Sequence, residues 1–337
     1  MMADLEEQFA AMTLDKYRLE VSRDDLKRCP LEVLNTLCNL FQTEKKTELQ
    51  VTFIGEPSVD VGGPGQEFIT TLVEEVCKAL VPAKDESSLF RPYLRTLKPE
   101  HTKALEQLGA LLLFCLHSSA KFVIGRQLDP ALFVALNKLN KDLITTNFED
   151  IDKTRFKELF AIFEAMYSIN EDDQAAILRM KTYMQEDGVS LEPIIDAMRE
   201  SLEPCFLLYK GMLSTPFSVD VLTEMPYQEL EVALQGVLEP KLVVKKLNIR
   251  AENTPQEWVR EWILGLTPTK MKRFLRLIAG TPALGKRMLN IEFSGQSVQF
   301  STCTQTLTLP ESSCTSKHSL FDMLEFSLKT EIKFNAK

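Results

Sequence analysis

The 337-residue chain is predicted to be an α+β protein, with a large, mostly helical N-terminal body and a small C-terminal α+β module. Two patterns predict this. Between residues 102 and 238, apolar side chains recur three or four positions apart, which is typical of amphipathic helices. After Gly280 the pattern changes to short runs in which apolar and polar residues alternate, which is typical of strands. Because the chain is too long for one typical core, we expect two or three subdomains.

The first 80 residues are expected to combine helices with one strand. Residues 1–20 are polar and predict an N-terminal arm, either a short helix or a frayed segment. Helical periodicity runs from Asp24 to Phe41, and Leu49–Ile54 is typical of a buried strand. Gly55–Gly65 is the densest cluster of glycine and proline in the chain and predicts a loop, followed by a helix at Gln66–Leu80.

Most of the remaining body is predicted to be helical. The expected helices are Thr102–His117, Pro130–Leu143, Thr154–Tyr167, Glu171–Met184, Leu191–Leu202, Tyr227–Leu238, Trp258–Leu266 and Lys270–Ala279. Lys241–Leu247 is expected to be extended, and the polar segment Asn248–Gln256 contains Pro255 and predicts a linker. These signals divide the chain into an arm at 1–20, a body at 21–248, a linker at 249–256 and a module at 257–337.

The C-terminal module carries a cysteine between two predicted extended segments. Apolar and polar residues alternate in Met288–Phe293 and Val298–Phe300, and Leu307–Leu309 is extended before a proline. Cys303 therefore lies on a connection, among small hydroxyl residues. The closing helix is expected to begin at a capping pair, Ser319 and Asp322, and to bury Leu320, Met323, Leu324, Phe326 and Leu328.

Charge and composition argue against several partners and compartments. The net charge is -9, whereas nucleic acids and anionic membranes need a positive footprint, so we expect neither as a partner. The most apolar run, Leu108–Leu116, is far shorter than the ~20 residues that span a bilayer. The seven cysteines are scattered without a C-x-x-C pair, and no signal-peptide pattern is present, so the cytosol or the nucleus is expected.

Phosphate-binding and metal chemistry have little support in the sequence. Gly280–Arg287 matches G-x-x-x-x-G-K, but Arg287 stands where a magnesium-binding Ser or Thr is required, and Pro282 removes a backbone donor. A turn is the better interpretation. The three histidines, His101, His117 and His318, are dispersed and form no zinc pattern, so no metal or cofactor is expected.

Five separate stretches share a resemblance to one family. The stretches are Ser301–Pro310 (S-T-C-T-Q-T-L-T-L-P), Phe274–Pro282 (F-L-R-L-I-A-G-T-P), Val51–Phe68 (V-T-F-I-G-E-P-S-V-D-V-G-G-P-G-Q-E-F), Glu229–Glu231 followed by Gly236, and Phe334, which is fourth from the end. In this order they resemble HECT-type ubiquitin-protein ligases, whose active-site signature is roughly H-T-C-x-x-x-L-x-L-P. The chain departs from that pattern at Ser301, Thr304 and Gln66, where the family has a histidine, an aromatic residue and an arginine.

The resemblance implies a bilobal HECT-like fold and a two-step transfer of ubiquitin. The large helical N-lobe would occupy 21–248, the hinge 249–256 and the C-lobe 257–337. Cys303 would accept ubiquitin as a thioester from a ubiquitin-conjugating enzyme and pass it to a lysine of a protein substrate. Thr302 and Thr304 would either donate hydrogen bonds to the developing oxyanion or shape the loop, and Phe334 would help to place the C-lobe. No cofactor is implied.

Two other functions remain open at this point. About residues 136–212, where the family has strand and turn features that dock the conjugating enzyme, the sequence predicts helix after helix. The first alternative is therefore a catalytically weak or inactive HECT-like member that acts as a binding or scaffold protein. The second alternative is a cysteine protease, in which Cys303 would pair with one of the histidines.

Overall fold

The fold combines fifteen described helices with six described strands and belongs to the α+β class. The computed structural model describes residues 16–42, 45–56, 63–81, 89–92, 98–118, 122–125, 127–145, 148, 151–169, 171–186, 190–236, 239–250, 256–285, 287–294, 296–302, 304–310, 312 and 315–329. The predicted α+β class is therefore confirmed. Within these residues, no helix is both long enough and apolar enough to cross a membrane.

A two-stranded parallel sheet opens the described chain. Strand β1 (Lys16–Val21) pairs in register with β2 (Glu48–Phe53), and Tyr17, Leu19 and Val21 are buried on one face of β1. Part of the expected arm at 1–20 is thus a strand, which corrects the prediction of a helix or frayed segment for Lys16–Glu20; residues 1–15 lie outside the described part. Helices α1 (Arg23–Arg28) and α2 (Pro30–Phe41) connect the two strands.

The N-terminal body is built from helices that share one hydrophobic core with this sheet. Its helices are α3 (Gly63–Leu80), α4 (Pro99–His117), α5 (Pro130–Lys138), α6 (Lys141–Ile144), α7 (Lys153–Tyr167), α8 (Glu171–Met184), α9 (Glu192–Leu213), α10 (Val221–Glu224) and α11 (Tyr227–Gln235). The predicted helices are confirmed with shifted ends, except that Pro130–Leu143 is broken into α5 and α6. Helix α9 continues well beyond Leu202 with Pro204 in its interior.

Two glycines let α4 and α9 cross at close range. A Cβ atom placed on Gly109 of α4 would lie 1.9 Å from the carbonyl oxygen of Leu208 on α9. A Cβ atom on Gly211 of α9 would lie 1.6 Å from the carbonyl oxygen of Glu106 on α4. Each helix therefore presents a glycine to the backbone of the other, and any side chain at either position would force the helices apart.

The C-terminal module has a second hydrophobic core between one mixed sheet and its helices. Strands β3 (Leu247–Arg250), β4 (Leu289–Phe293), β5 (Gln299–Ser301) and β6 (Thr306–Leu309) lie in the order β3-β4-β6-β5, and only the β5–β6 pair is antiparallel. The helices are α12 (Pro240–Lys245), α13 (Gln256–Leu264), α14 (Pro268–Ala279) and α15 (Lys317–Lys329). The alternation in the sequence places Leu289, Ile291, Leu307 and Leu309 on the core face.

Two details of this module differ from the sequence predictions. Lys241–Leu247 was expected to be extended, but Pro240–Lys245 is a helix that the proline starts at its first position. In α15 the hydroxyl of Ser316 accepts a hydrogen bond from the Ser319 backbone N–H at 3.1 Å, so capping begins three residues before the predicted Ser319–Asp322 pair. Phe326, expected to face inward, is 69% exposed.

The boundary between the two hydrophobic cores lies between Leu234 and Val243. Leu234 is the last buried residue of the N-terminal core, and Val243 is the first buried residue of the C-terminal core. The predicted linker at 249–256 therefore begins inside β3, which is paired with β4, and residues 251–255 lie outside the described part. Several contacts join the two cores. Arg276 Nη2 lies 3.2 Å from Glu74 Oε2, and a Cβ atom on Gly236 would meet the carbonyl oxygen of Leu284 at 2.8 Å.

Candidate functional site

The candidate site is the connection between β5 and β6, residues 302–305. Of the predicted site residues, Cys303 and Phe334 lie outside the described part of the chain, whereas Thr302 lies inside it and is partly buried in a turn. The antiparallel pairing of Ser301 with Thr306 closes the hairpin on either side of these four residues. The prediction that position 303 falls between two extended segments is therefore confirmed, because the flanking strands are both present.

The hydroxyl groups of the connection are engaged in a local network. The Thr304 hydroxyl donates to the Ser301 hydroxyl at 2.9 Å, across the base of the connection. The Thr306 hydroxyl donates to the Thr304 carbonyl oxygen at 3.2 Å. Thr304 therefore uses its proton within the hairpin, which favours loop shaping over oxyanion binding for this residue. The Ser301 hydroxyl oxygen accepts this hydrogen bond.

A left-handed residue ends the connection. Gln305 has a φ of 51°, and among the described residues it is the one non-glycine residue with a positive φ. This backbone conformation costs about 1–2 kcal/mol in a residue with a Cβ atom and persists only when its surroundings impose it. The Gln305 carbonyl oxygen accepts the Asn290 backbone N–H at 2.8 Å, so strand β4 supplies one of those constraints.

Asn290 on β4 makes further contact with the connection through its side chain. Its amide nitrogen Nδ2 donates to the carbonyl oxygen of Thr304 at 3.2 Å. Its Oδ1 accepts Nδ2 of Asn248, the paired residue on β3, at 2.9 Å. Neither Asn290 nor Asn248 was predicted from the sequence as a site residue. Both asparagines alternate with core-facing residues along their strands, and this alternation was the available signal. The pairing of β3 with β4, however, could not be predicted from the sequence.

The outward face of the sheet is polar and forms a shallow groove beside the connection. Strand pairing aligns two cross-strand rows, Asn248–Asn290–Thr306–Ser301 and Arg250–Glu292–Thr308–Gln299. The groove has a volume of about 430 Å³ and is lined by Arg250, Asn290, Glu292, Ser301, Thr304, Thr306 and Thr308. Its lining contains one cation and one anion, Arg250 Nη1 and Glu292 Oε1, which lie 3.5 Å apart. The row nearer the connection is uncharged.

The described cysteines lie in surroundings unlike the polar, exposed connection at 302–305. Cys38, Cys77, Cys115 and Cys205 are buried and Cys29 is partly buried. Burial raises the pKa of Cys38 and of Cys205 to about 12, and it also raises the pKa of Cys115. Desolvation, with smaller contributions from Glu32 and Asp25, raises the pKa of Cys29. A thiol with a raised pKa is a poor nucleophile at neutral pH. Cys314, like Cys303, lies outside the described residues.

Two of the sequence blocks meet at the joint between the cores. Gly280, in the block Phe274–Pro282, adopts the left-handed conformation after α14, and a Cβ atom there would lie 3.5 Å from the Gly63 carbonyl oxygen and 3.6 Å from Glu67 Cβ. Gly63 and Glu67 belong to the block Val51–Phe68. This contact was not predicted from the sequence, because it depends on how the two cores pack.

The glycine-rich block is fixed by polar contacts on both sides of residues 57–62, which are not described. Before it, Arg23 bonds Glu56 and, at 2.6 Å, Glu67, and its guanidinium lies 4.1 Å from the centre of the Phe53 ring. After it, Gln66 is buried and bonds both the carbonyl and the N–H of Val123, at 2.6 and 3.1 Å. Both polar atoms of the Gln66 amide therefore have hydrogen-bond partners without any charge on this side chain.

The structure offers no metal cluster and no cysteine–histidine pair among the described side chains. No group of three or more His, Cys, Asp and Glu residues capable of holding a metal ion occurs in the described part of the chain. His117 Nε2 lies 2.7 Å from the carbonyl oxygen of Ser218, and His318 lies 3.2 Å from Asp322 on the same helix. Both rings thus contact groups other than the described thiols, whereas the thiol of the cysteine-protease alternative, Cys303, lies outside the described residues.

Comparison with known proteins assigns no family to the chain. No family model matches it, and no curated protein matches it.

Proposed function

We propose that the protein is a HECT-like ubiquitin-protein ligase, with Cys303 as the residue that carries ubiquitin as a thioester. The single observation that carries the proposal is the hairpin connection at 302–305, which lies beside an open polar groove and between paired strands in the S-T-C-T-Q-T-L-T-L-P stretch. The proposed N-lobe is the body with the first core, and the proposed C-lobe is the module with the second.

The first step is a transthiolation. The thiolate of Cys303 attacks the carbonyl carbon of the thioester between ubiquitin and a conjugating enzyme. A new C–S bond forms, the old C–S bond breaks, and the thiolate of the conjugating enzyme leaves. Because the entering and leaving thiols are similar, the step needs little driving force. Only about a few per cent of an unperturbed thiol is ionised at neutral pH, so positioning supplies much of the rate.

The second step transfers ubiquitin to a substrate amine. A neutral lysine amine attacks the carbonyl carbon, a C–N bond forms, the C–S bond to Cys303 breaks, and the amine loses its proton to water. We assign the Thr302 hydroxyl to the oxyanion that develops in both steps, because the Thr304 hydroxyl already donates to Ser301. Phe334 places the C-lobe for the amine. The partners are ubiquitin, a conjugating enzyme and a protein substrate in the cytosol or the nucleus, and no cofactor takes part.

The remaining described cysteines support the choice of Cys303 by contrast. Each of Cys29, Cys38, Cys115 and Cys205 has a raised pKa, and the last three are buried where a protein-sized thioester has no access. The stretch around Cys303 instead contains small hydroxyl residues that leave room for an acyl group, as Ser301 and Thr304 are both exposed.

A thioester assay tests the proposal. The purified protein is incubated with ubiquitin, activating enzyme, ATP and a panel of conjugating enzymes, and the products are separated with and without reducing agent. The wild type and Cys314→Ala are expected to form an adduct that reducing agent removes, and Cys303→Ala is expected to form none. An adduct that persists in Cys303→Ala would assign the nucleophile to another cysteine.

A second candidate function is supported by the centre of the N-terminal body. The described residues between 136 and 212 contain five helices, from the end of α5 to α9, and no strand. The strands of a conjugating-enzyme docking surface are therefore not found among these described residues. A HECT-like binding or scaffold protein without ligase activity fits this observation. Failure of the folded wild type to form an adduct with any charged conjugating enzyme would favour this second function.

A further inference from the structure

We propose that the plug, Gly280–Leu284, locks the C-terminal module onto the N-terminal body, and that the unpaired hydroxyl of Thr281 makes this lock releasable. All five plug residues are buried. The first hydrophobic core ends at Leu234 and the second begins at Val243, so the described chain passes from body to module once. The module can therefore turn away from the body where its other contacts release it. The inference does not rest on the proposed transfer of ubiquitin.

The plug fits a socket in the body that two glycines shape. A Cβ atom on Gly125 would lie 2.7 Å from Cδ of Pro282. A Cβ atom on Gly236 would lie 2.8 Å from the Leu284 carbonyl oxygen and 3.0 Å from Cβ of Ala283. Both glycines have a positive φ, 66° and 72°, which residues with a Cβ atom rarely adopt. The socket therefore admits the plug at close range, and this fit fixes the orientation of the module.

The joint is not a continuation of either hydrophobic core. Ala283 is buried but belongs to neither core. At the rim of the joint, Arg276 Nη2 on α14 lies 3.2 Å from Glu74 Oε2 on α3, and the Arg276 side chain is 47% exposed, so this ion pair contributes little in water. A contact that is neither large nor continuously apolar favours separation of the body and the module as intact units.

The closed joint carries a cost at Thr281. This residue is 2% exposed, and its hydroxyl oxygen Oγ1 has no hydrogen-bond partner in the described part of the chain. Burial of a hydroxyl group without a partner is unfavourable, and water restores the lost hydrogen bonds once the plug leaves its socket. The hydroxyl therefore favours the open joint, whereas the close fit at Gly125 and Gly236 favours the closed one.

Alkylation of an engineered thiol measures how often the joint opens. A reporter chain carries Ala283→Cys in the plug and Ser327→Cys on α15, where Ser327 is 4% exposed inside the module; native Cys115 lies inside the body. Trypsin places positions 115, 283 and 327 on three peptides that contain no other cysteine. We expect iodoacetamide to modify position 283 about tenfold faster than the other two, because the joint opens without unfolding either half.

Thr281→Val in the reporter chain tests the role of the hydroxyl. Valine keeps the shape of the side chain and removes the unpaired group, so alkylation at position 283 should slow about tenfold. Thr269→Val, at an exposed position of α14, is the matched control and should leave the rate unchanged.

Arg276→Gln tests the rim of the joint. It removes the ion pair with Glu74, so alkylation at position 283 should become about threefold faster. Arg273→Gln is the matched control, because Arg273 lies on the same helix and bonds the Lys329 carbonyl oxygen within the module.

Two further measurements show whether the reporter itself disturbs the joint. Both tryptophans of the chain lie in α13 of the module, so their fluorescence follows the module during urea unfolding, while circular dichroism follows the helices as a whole. Hydrogen exchange of the Val123 and Ile124 amides, which adjoin Gly125 and bond within the body, repeats the comparison with an unaltered plug. These amides should exchange more slowly in Thr281→Val than in the wild type.

Three results would overturn the proposal, whether or not the protein accepts ubiquitin. Equal alkylation at Cys115 and at positions 283 and 327 would mean that the joint opens only by unfolding. Alkylation at position 283 as fast as in the urea-unfolded chain, with equally unprotected Val123 and Ile124 amides, would mean that no lock exists. Equal rates in Thr281→Val and Thr269→Val would mean that the hydroxyl does not weaken the lock.

Discussion

Arg23 Nη1 lies 2.6 Å from Glu67 Oε1 and so ties the start of α1 to the first turns of α3. The same guanidinium bonds Glu56 at the other end of the glycine-rich segment, and these two carboxylates raise the pKa of Arg23 above its already high ordinary value in spite of partial burial. Since α3 also contacts Gly280 through Gly63 and Glu67, this cluster supports the joint between the two cores.

We therefore expect Arg23→Lys to destabilise the protein. Lysine cannot bond two carboxylates in the fixed planar geometry of a guanidinium. Charge-assisted hydrogen bonds contribute more than neutral ones, but the Arg23 side chain is 39% exposed, so we expect a loss of only about 1–2 kcal/mol. The measurement is urea unfolding followed by circular dichroism.

Arg28→Lys on the same helix is the control, because the contact of Arg28 with Asp24 is long, at 3.8 Å, and both side chains are mostly exposed. Its unfolding midpoint should match the wild type. Equal midpoints for Arg23→Lys and the wild type would show that the cluster contributes no net stability.

The close crossing of α4 and α9 predicts a strong effect of a single methyl group. In Gly109→Ala the new Cβ atom would overlap the Leu208 carbonyl oxygen, and backbone cannot move aside as the end of a side chain can. We expect a destabilisation at or above the upper end of the usual overpacking cost, about 3 kcal/mol, measured as a lower melting temperature.

Gly285→Ala provides the matched control for this substitution. A Cβ atom at Gly285 has no heavy atom within 4 Å, and its φ does not require glycine. The melting temperature of Gly285→Ala should equal or slightly exceed that of the wild type. Similar melting temperatures for Gly109→Ala and Gly285→Ala would mean that α4 and α9 separate without cost.

The buried cysteines predict a loss of stability in alkali. Cys38 and Cys205 have their pKa raised by burial from an ordinary value of 9.0 to about 12. Below about pH 9 both thiols are protonated in the folded and the unfolded chain and do not affect the free energy of unfolding. Between about pH 9 and 12 only the unfolded chain releases these protons, so stability falls as pH rises, by up to about 1.4 kcal/mol per pH unit for each thiol.

Urea titrations at a series of pH values would measure this slope. The double variant Cys38→Ala/Cys205→Ala removes both groups, and its free energy of unfolding should fall less steeply above about pH 9 than that of the wild type. The comparison uses slopes because the substitutions also change the stability at neutral pH. Parallel slopes would show that these thiols ionise alike in the two states.

Local patterns in the sequence predicted the helices and the C-terminal strands, because their signal lies within a few residues. Period-two alternation at Thr306–Leu309 was sufficient to place Leu307 and Leu309 inward. Strand β1 also alternates, but its partner β2 begins about thirty residues later, and the polar surroundings of Lys16–Val21 concealed it. Such parallel pairings depend on tertiary structure.

The two strands on either side of position 303 were predicted from the sequence, but the contacts that hold their connection were not. The polar neighbours of Cys303 and the flanking extended segments were visible in the sequence. The roles of Asn248 and Asn290 depend on β3 pairing with β4 across about forty residues, a contact that no local pattern indicates. The direction of the Thr304 hydroxyl also depends on the hairpin register, which brings Ser301 within 2.9 Å.

Because β3 is an edge strand of the C-terminal sheet, it determines where a shortened recombinant protein can begin. A recombinant piece that begins at residue 257, as the sequence boundaries suggest, would lack both α12 and β3. Strand β4 would then become an unprotected edge with free backbone donors and acceptors and buried residues such as Leu289 at its border. Such a piece would tend to pair with other copies and aggregate, whereas a piece starting at Glu239 would keep the sheet closed on that side.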